Sequence, residues 1–184
     1  MELIFTTTNK YKINSASLVL KKYDINIIGY DVAVPEIQAD TVEEIILDKV
    51  AKCYKIVGKP LVAMDSGIFI EALNGFPGPY TKYVISSIGE DGLINLVKPL
   101  TNKNCFVQRT IGYTDGIKTK IFISRGYGEI IEDKRGKNGL NYDLVFYVPT
   151  LKKTLAELSD EEKVKVWGSA WDDLGKWIVS EKDE

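Results

Sequence analysis

None of the 184 residues is histidine. That one absence removes whole classes of chemistry. A Ser-His-Asp or Cys-His nucleophilic scheme has no imidazole to act as its base. A zinc site built on His and Cys is excluded as well. Any metal must be held by oxygen ligands, which favours Mg²⁺, Mn²⁺ or Ca²⁺. Any general base must be a carboxylate, a lysine, a tyrosine or a metal-bound water. Cysteine is scarce too: Cys53 and Cys105 fall in an apparent helix and an apparent strand and read as reduced core residues. The net charge of −2 gives no basic field for nucleic acid or membrane. No apolar run reaches the roughly 20 residues of a membrane span. The run LIFTT after Met1 is too short for the apolar region of a signal peptide. The expectation is a cytoplasmic chain acting on a small molecule.

What is present is an alternation of strand and helix signals in one domain, residues 1–184, with no repeat and no low-complexity linker. Leu3 to Thr6 predict a first strand. Lys10 to Lys22 predict a helix with Ile13, Ala16, Ser17 and Leu20 on one face. Ile25 to Gly29 predict a second strand. Thr41 and Glu44 form a capping box, and Ile45, Ile46, Val50, Cys53 and Val57 supply the apolar face that follows. Leu61 to Met64 predict a strand ending at Asp65, and Gly89 to Val97 a helix. Cys105–Tyr113 and Lys118–Ile131 predict a long hairpin turning at Thr114-Asp115-Gly116. Ser159 and Glu162 make a second capping box, predicting a helix that carries Trp167, Trp171, Leu174 and Ile178. The pattern argues for an α/β fold with a mixed sheet.

Five stretches could carry chemistry. TTTNKYK, Thr6 to Lys12, lies where a strand passes into a helix, with Thr8 or Asn9 as N-cap. Lys10 and Lys12 oppose the helix macrodipole there by about 0.3–1 kcal/mol each, unless a phosphate docks; taken alone, the stretch reads first as an ordinary capped helix with solvated lysines. Glu36 follows Pro35 in a loop and reads as a solvated carboxylate or a ligand. Lys49 flanks the apolar face of its helix, either covering the core with its stem or sharing a cleft with Glu36 and Lys12. Asp65 and Ser66 are expected at a strand end, where α/β proteins place ligands; Glu36 and Asp65 together could hold one hard cation. Tyr142 and Asp143 lie in a Gly-bearing loop, as ligands or as a capped turn. Lys152 and Lys153 form a basic turn.

The order of these motifs is more specific than any one of them. T-x-N-x-x-K, PEIQ, a strand ending in DSG, ALNGFPGPY, G-x-x-YD and KTLAELSDEEK follow one another from Leu3 to Ser169. The series resembles the inosine triphosphate pyrophosphatase family, which acts on deaminated purine nucleotides. The resemblance implies a central mixed sheet with flanking helices, two lobes around a deep cleft, and a homodimer. It implies Mg²⁺-dependent hydrolysis between the α- and β-phosphates of a nucleoside triphosphate. By motif, Thr7, Thr8, Asn9 and Lys12 would bind phosphate, with Lys49 and Ser66. Glu36 and Asp65 would bind metal, and Asp65 would orient or deprotonate the attacking water. Tyr142, Asp143 and Lys153 would fall near the nucleoside.

The departures sit mostly at the base-reading end. Where the family has Ser-His-Arg, this chain has Trp167-Gly168-Ser169; where it has a base-stacking Phe, Leu140 stands. Met64 replaces the acid before Asp65, and Thr8 replaces a glycine. The expectation is pyrophosphatase chemistry with altered base specificity, the alternative being a catalytically weak or inactive dimeric nucleotide-binding module.

Overall fold

The computed structural model describes residues 1–139 and 141–181. One hydrogen-bonded sheet of eight strands carries the fold, in the order β2-β1-β3-β5-β6-β7-β8, with β4 paired to β3. The strands are β1 (Glu2–Phe5), β2 (Asn26–Gly29), β3 (Leu61–Ile70), β4 (Pro77–Gly78), β5 (Asn104–Thr114), β6 (Thr119–Ile130), β7 (Phe146–Val148) and β8 (Lys153–Thr154). The sheet is mixed: β1 runs parallel to β2 and β3, whereas β4 and β7 pair antiparallel with β3 and β6. β5 and β6 are neighbours joined by residues 115–118, a connection short enough only for an antiparallel pair. The helices are α1 (Lys10–Leu20), α2 (Val42–Val57), α3 (Thr81–Val97), α4 (Asp160–Val166) and α5 (Ala170–Ser180). None is long and apolar enough to cross a membrane among the described residues.

The chain forms two compact units. The first holds residues 1–65, 109–124 and 169–184; the second holds residues 66–108 and 125–168. In the first, Ala16 and Leu20 of α1 and Trp171, Leu174 and Ile178 of α5 pack on Leu3, Phe5, Val62, Met64 and Ile111 of the sheet. α2 covers the other face: a Cβ added to Gly112 would meet Ile46 and Val50, and alternation along β5 sets position 112 opposite Ile111. In the second unit, Leu93 and Val97 of α3 join Ile68, Val107, Ile130, Phe146, Leu155 and Trp167 in a separate core.

Both capping boxes form. Thr41 Oγ1 accepts from the Glu44 N–H at 3.2 Å while the Glu44 carboxylate accepts from the Thr41 N–H at 3.1 Å. Ser159 and Glu162 exchange the same pair of bonds at 2.8 and 3.2 Å. Cys53 and Cys105 are free and buried.

Three expectations need correction. β3 does not end at Asp65 but continues to Ile70. Gly67 is a strand residue at which β4 comes close: a Cβ there would stand 2.3 Å from the Gly78 carbonyl oxygen, an approach that glycine admits. The helix expected from Gly89 begins at Thr81, and Gly89 is a break inside it. The helix opened by Ser159 does not reach Ile178. It stops at Val166, Gly168 takes φ +78°, and α5 starts afresh at Ala170. Trp167 and Trp171 therefore serve two different cores.

Candidate functional site

The first unit gathers five charged groups around the N-terminus of α1. Phe5, the last residue of β1, pairs with Val62 of β3. Residues 63–65 thus run past the end of β1, where the chain turns through Thr6–Asn9 into α1. Asp65 is mid-strand on β3, yet it stands beyond the carboxyl end of its parallel neighbour, the position where open α/β sheets bind ligands. Asp65 and Ser66 are half-buried, flanked along β3 by fully buried residues.

Asn9 is the N-cap, its Oδ1 accepting from the N–H groups of Tyr11 at 2.9 Å and Lys12 at 3.2 Å. Thr7 Oγ1 accepts from the Asn9 N–H at 3.2 Å, tightening the approach, and Thr8 is exposed. No acidic residue stands in the first turn of α1; Lys10 and Lys12 do. The helix N-terminus therefore meets cations, an arrangement unfavourable by itself and relieved by an anion.

Lys12 reaches across to β3, where its Nζ donates to the Met64 carbonyl at 3.2 Å. Burial holds its ammonium below the usual lysine range, Asp65 opposes that shift, Lys49 and Arg109 add to it, and Glu36 weakly opposes it. The same four residues are thus the charged surroundings of one ammonium group. Lys49, on α2, donates to Glu36 Oε1 at 2.5 Å, fixing the loop carboxylate on the helix. Lys52, one turn behind, donates to the Pro35 carbonyl at 3.0 Å and anchors the same loop. Glu36 is the more exposed partner of its pair, at 33% against 17% for Lys49. Beneath them burial pushes the Cys53 thiol up, against the lowering effects of Thr6 and Lys49.

The donor set here is oxygen only, since Cys53 is held as a protonated, buried thiol. Two carboxylates suit a hard divalent cation that keeps waters and meets substrate oxygens. Among the described residues no group of three or more His, Cys, Asp or Glu is placed to hold a metal.

The residues expected near the nucleoside belong to the second unit. Tyr142 packs against its core. Asp143 accepts from Lys163 Nζ at 3.2 Å, and Lys163 also donates to the Asn138 carbonyl at 2.5 Å. Lys153 pairs with Glu162 at 3.1 Å. Leu140 lies outside the described residues. Trp167 is core, 6% exposed against Phe146. The Ser169 hydroxyl donates to Asp173 Oδ2 at 2.6 Å.

Two charged residues escaped the sequence reading. Lys163 closes the motif KTLAELSDEEK and was legible there as an unassigned cation. Arg109 is an isolated arginine in a β-rich run, with no local signal. Its Nη1 donates to Ser15 Oγ of α1 at 3.2 Å.

Known proteins resemble this chain over most of its length. A dITP/XTP pyrophosphatase of Methanopyrus kandleri is 38% identical over 167 residues, covering 90% of this chain and 89% of the relative. Another, of Thermococcus kodakarensis, is 34% identical over 180 residues, covering 97% of each. The structure of the Staphylococcus aureus Ham1 protein superposes with a TM-score of 0.83 at 31% identity, covering 98% of this chain and all of that one. The model of the Ham1 family matches residues 3–177, and the chain belongs to that family.

Proposed function

We propose that this protein hydrolyses a nucleoside triphosphate between its α- and β-phosphates, releasing a nucleoside monophosphate and pyrophosphate. The observation that carries the reading is the set of lysines and carboxylates, Lys12, Lys49, Glu36 and Asp65, gathered at the α1 N-terminus. The dITP/XTP pyrophosphatases with which the chain aligns over most of its length support the reaction type.

Phosphoanhydride cleavage needs positioning and neutralisation of charge more than a protein nucleophile. Lys12, with the N-terminus of α1, would bind phosphate oxygens. Lys49 would bind a phosphate oxygen while holding Glu36 in place. Asn9 and Thr7 fix the loop that brings these groups to bear. Glu36 and Asp65 would hold Mg²⁺, which supplies charge neutralisation on the phosphates. Asp65 would orient a water and take its proton as the water oxygen bonds to phosphorus. The bridging P–O bond breaks, and its oxygen departs with the other product. Histidine is not needed at any step. The oligomer expected with this function is a homodimer, which light scattering measures.

The base preference is proposed to differ from that of enzymes for deaminated purines. Trp167 is committed to the core and the Ser169 hydroxyl to Asp173, so neither offers the forked guanidinium that an arginine presents to a keto purine. Losing a charged hydrogen bond costs about 1.5–3 kcal/mol, enough to flatten a purine preference.

The test is pyrophosphate release from a panel of ribo- and deoxynucleoside triphosphates with Mg²⁺, including ITP, XTP and modified purines. Release from several bases is expected, with loss in Asp65→Asn. Binding without release from any member would identify a nucleotide-binding module and overturn the enzymatic reading.

A further inference from the structure

In the second unit the sheet has two unlike faces. Ile68, Val107 and Ile130 look into the core that α3 completes. Their strand neighbours Phe69, Phe106 and Glu129 point the other way, as do Arg125 and Tyr127. On β6 every second residue from Phe122 to Ile130 is buried, whereas Arg125 and Tyr127 are exposed, Tyr127 at 64%. The Phe69 and Phe106 rings stack in parallel with centroids 4.9 Å apart. The Arg125 guanidinium lies over the Phe106 ring at 4.8 Å, steered by a 3.0 Å bond from its Nε to Gln108 Oε1. Tyr127 leans on Phe106 from 5.9 Å. A Cβ at Gly78 would stand 3.1 Å from the Phe69 ring, so β4 closes the far side of the stack. Phe69, Phe106 and Arg125 are therefore held in place before any partner arrives, with little side-chain freedom left to lose.

Aromatic rings with an arginine are the composition of a protein interface core, and the charges on this face select the partner. Arg125 and Glu129 stand two residues to either side of Tyr127 on the same face of β6. A two-fold axis through Tyr127 that lays β6 antiparallel across its copy sets each Arg125 opposite Glu129 of the other copy. Each charge then sits about 7 Å from the axis along the strand, at 3.4 Å per residue. The angle of about 30° between packed sheets separates the two charges sideways by about 3.5 Å, which two long side chains span. Nucleic acid would ask for a basic surface; here Arg125 is matched by Glu129, and the chain carries a net charge of −2. We propose that this face of the second unit, centred on Tyr127, is an isologous interface with a second copy of this chain, Arg125 and Glu129 pairing reciprocally across the axis. The inference places the contact between two copies and does not depend on the reaction proposed above.

The experiment is sedimentation velocity of the full chain without substrate over a concentration series, beside far-UV circular dichroism. The parent is expected to be a dimer. Tyr127→Asp sets two carboxylates at the axis and is expected to raise the dissociation constant by about 30-fold or more, with the spectrum of the fold unchanged. Arg125→Glu or Glu129→Arg alone creates two like-charge contacts, because the symmetry repeats each pair, and is expected to weaken the dimer by about 10-fold or more. The two reversals combined restore opposite charges and are expected to recover most of the dimer. A role of Arg125 confined to its own chain, holding Phe106, would not be repaired in this way. A monomeric parent overturns this interface and the homodimer expected above. A dimer unchanged in Tyr127→Asp and in both single reversals overturns the interface alone, as does a double variant no more dimeric than the single ones. Binding of a single-stranded oligonucleotide that Tyr127→Asp abolishes, with the assembly unchanged, gives the face to nucleic acid and also overturns it. Pyrophosphate release from the same samples tests the reaction separately: a dimer that splits as expected but cleaves no nucleoside triphosphate refutes the reaction and leaves the interface in place.

Discussion

Lys12→Met separates what this site costs the fold from what it does for function. In the folded chain Lys12 is half-buried, with one hydrogen bond to the Met64 carbonyl. Its attraction to Asp65 is set against repulsion from Lys49 and Arg109. Burial disfavours the Lys12 ammonium in the folded state more than its carboxylate neighbours favour it, so an apolar side chain of similar volume removes a desolvation penalty of about 1–4 kcal/mol. Leaving the Met64 carbonyl without its donor takes back about 1 kcal/mol, and the Coulombic gains and losses offset one another. The net is about 0–3 kcal/mol in favour of the variant, and a chain of this size moves by roughly 2–4 °C per kcal/mol. The ligand-free melting temperature should therefore stay level or rise by up to roughly 10 °C, while pyrophosphate release collapses. The pH dependence has a definite sign. The folded pKa of Lys12 lies below its ordinary 10.5, so the folded state binds fewer protons at this group than the unfolded state. The protonated lysine opposes folding fully below the folded pKa, and that opposition fades as the pH climbs toward 10.5. The advantage of Lys12→Met must shrink between neutral pH and pH 10. Thermal unfolding of both proteins without ligand at the two pH values is the assay. A fall of several degrees in the variant at neutral pH, or a gap that widens with pH, would refute the reasoning.

Three further predictions concern the frame of the site. Thr41→Ala removes one half of the α2 capping box and should lower stability by about 1 kcal/mol, read as a shift of a few degrees with little change in turnover. Gly67→Ala places a Cβ 2.3 Å from the Gly78 carbonyl oxygen and should break the β3–β4 pairing; chemical denaturation should show a loss of at least about 2 kcal/mol, within the range for overpacked sites. Trp167→Ala should cost about 3–5 kcal/mol as a core deletion, whereas Trp167→Phe should keep the base preference of the parent. A changed base preference in Trp167→Phe would mean that the indole reads the substrate.

The parts of this fold legible in the sequence are those specified within a few residues. Thr41 with Glu44 and Ser159 with Glu162 are local hydrogen-bond pairs, and both helices begin where those pairs place them. The TTTNKYK stretch gave its N-cap for the same reason, with Asn9 chosen over Thr8. Features set by distant neighbours were misread. Gly67 looks like a strand end until β4 is laid beside it. Gly168 looks tolerable inside a helix until the two tryptophans that flank it pack into different cores. Glu36 and Asp65 lie on a loop and a strand with α2 between them in the chain, so spacing alone cannot relate them. Arg109 had no signal at all: β5 carries it to Ser15 of α1, 94 residues away in the chain.

The most direct test of the central claim is the identity of the products. Phosphorus NMR of a reaction with Mg²⁺ and a cleaved nucleoside triphosphate should show the monophosphate and pyrophosphate in equal amounts, with no diphosphate intermediate. Accumulation of nucleoside diphosphate and orthophosphate would mean that the chain cuts the terminal anhydride, contradicting the placement of the water, Asp65 and the lysines argued here.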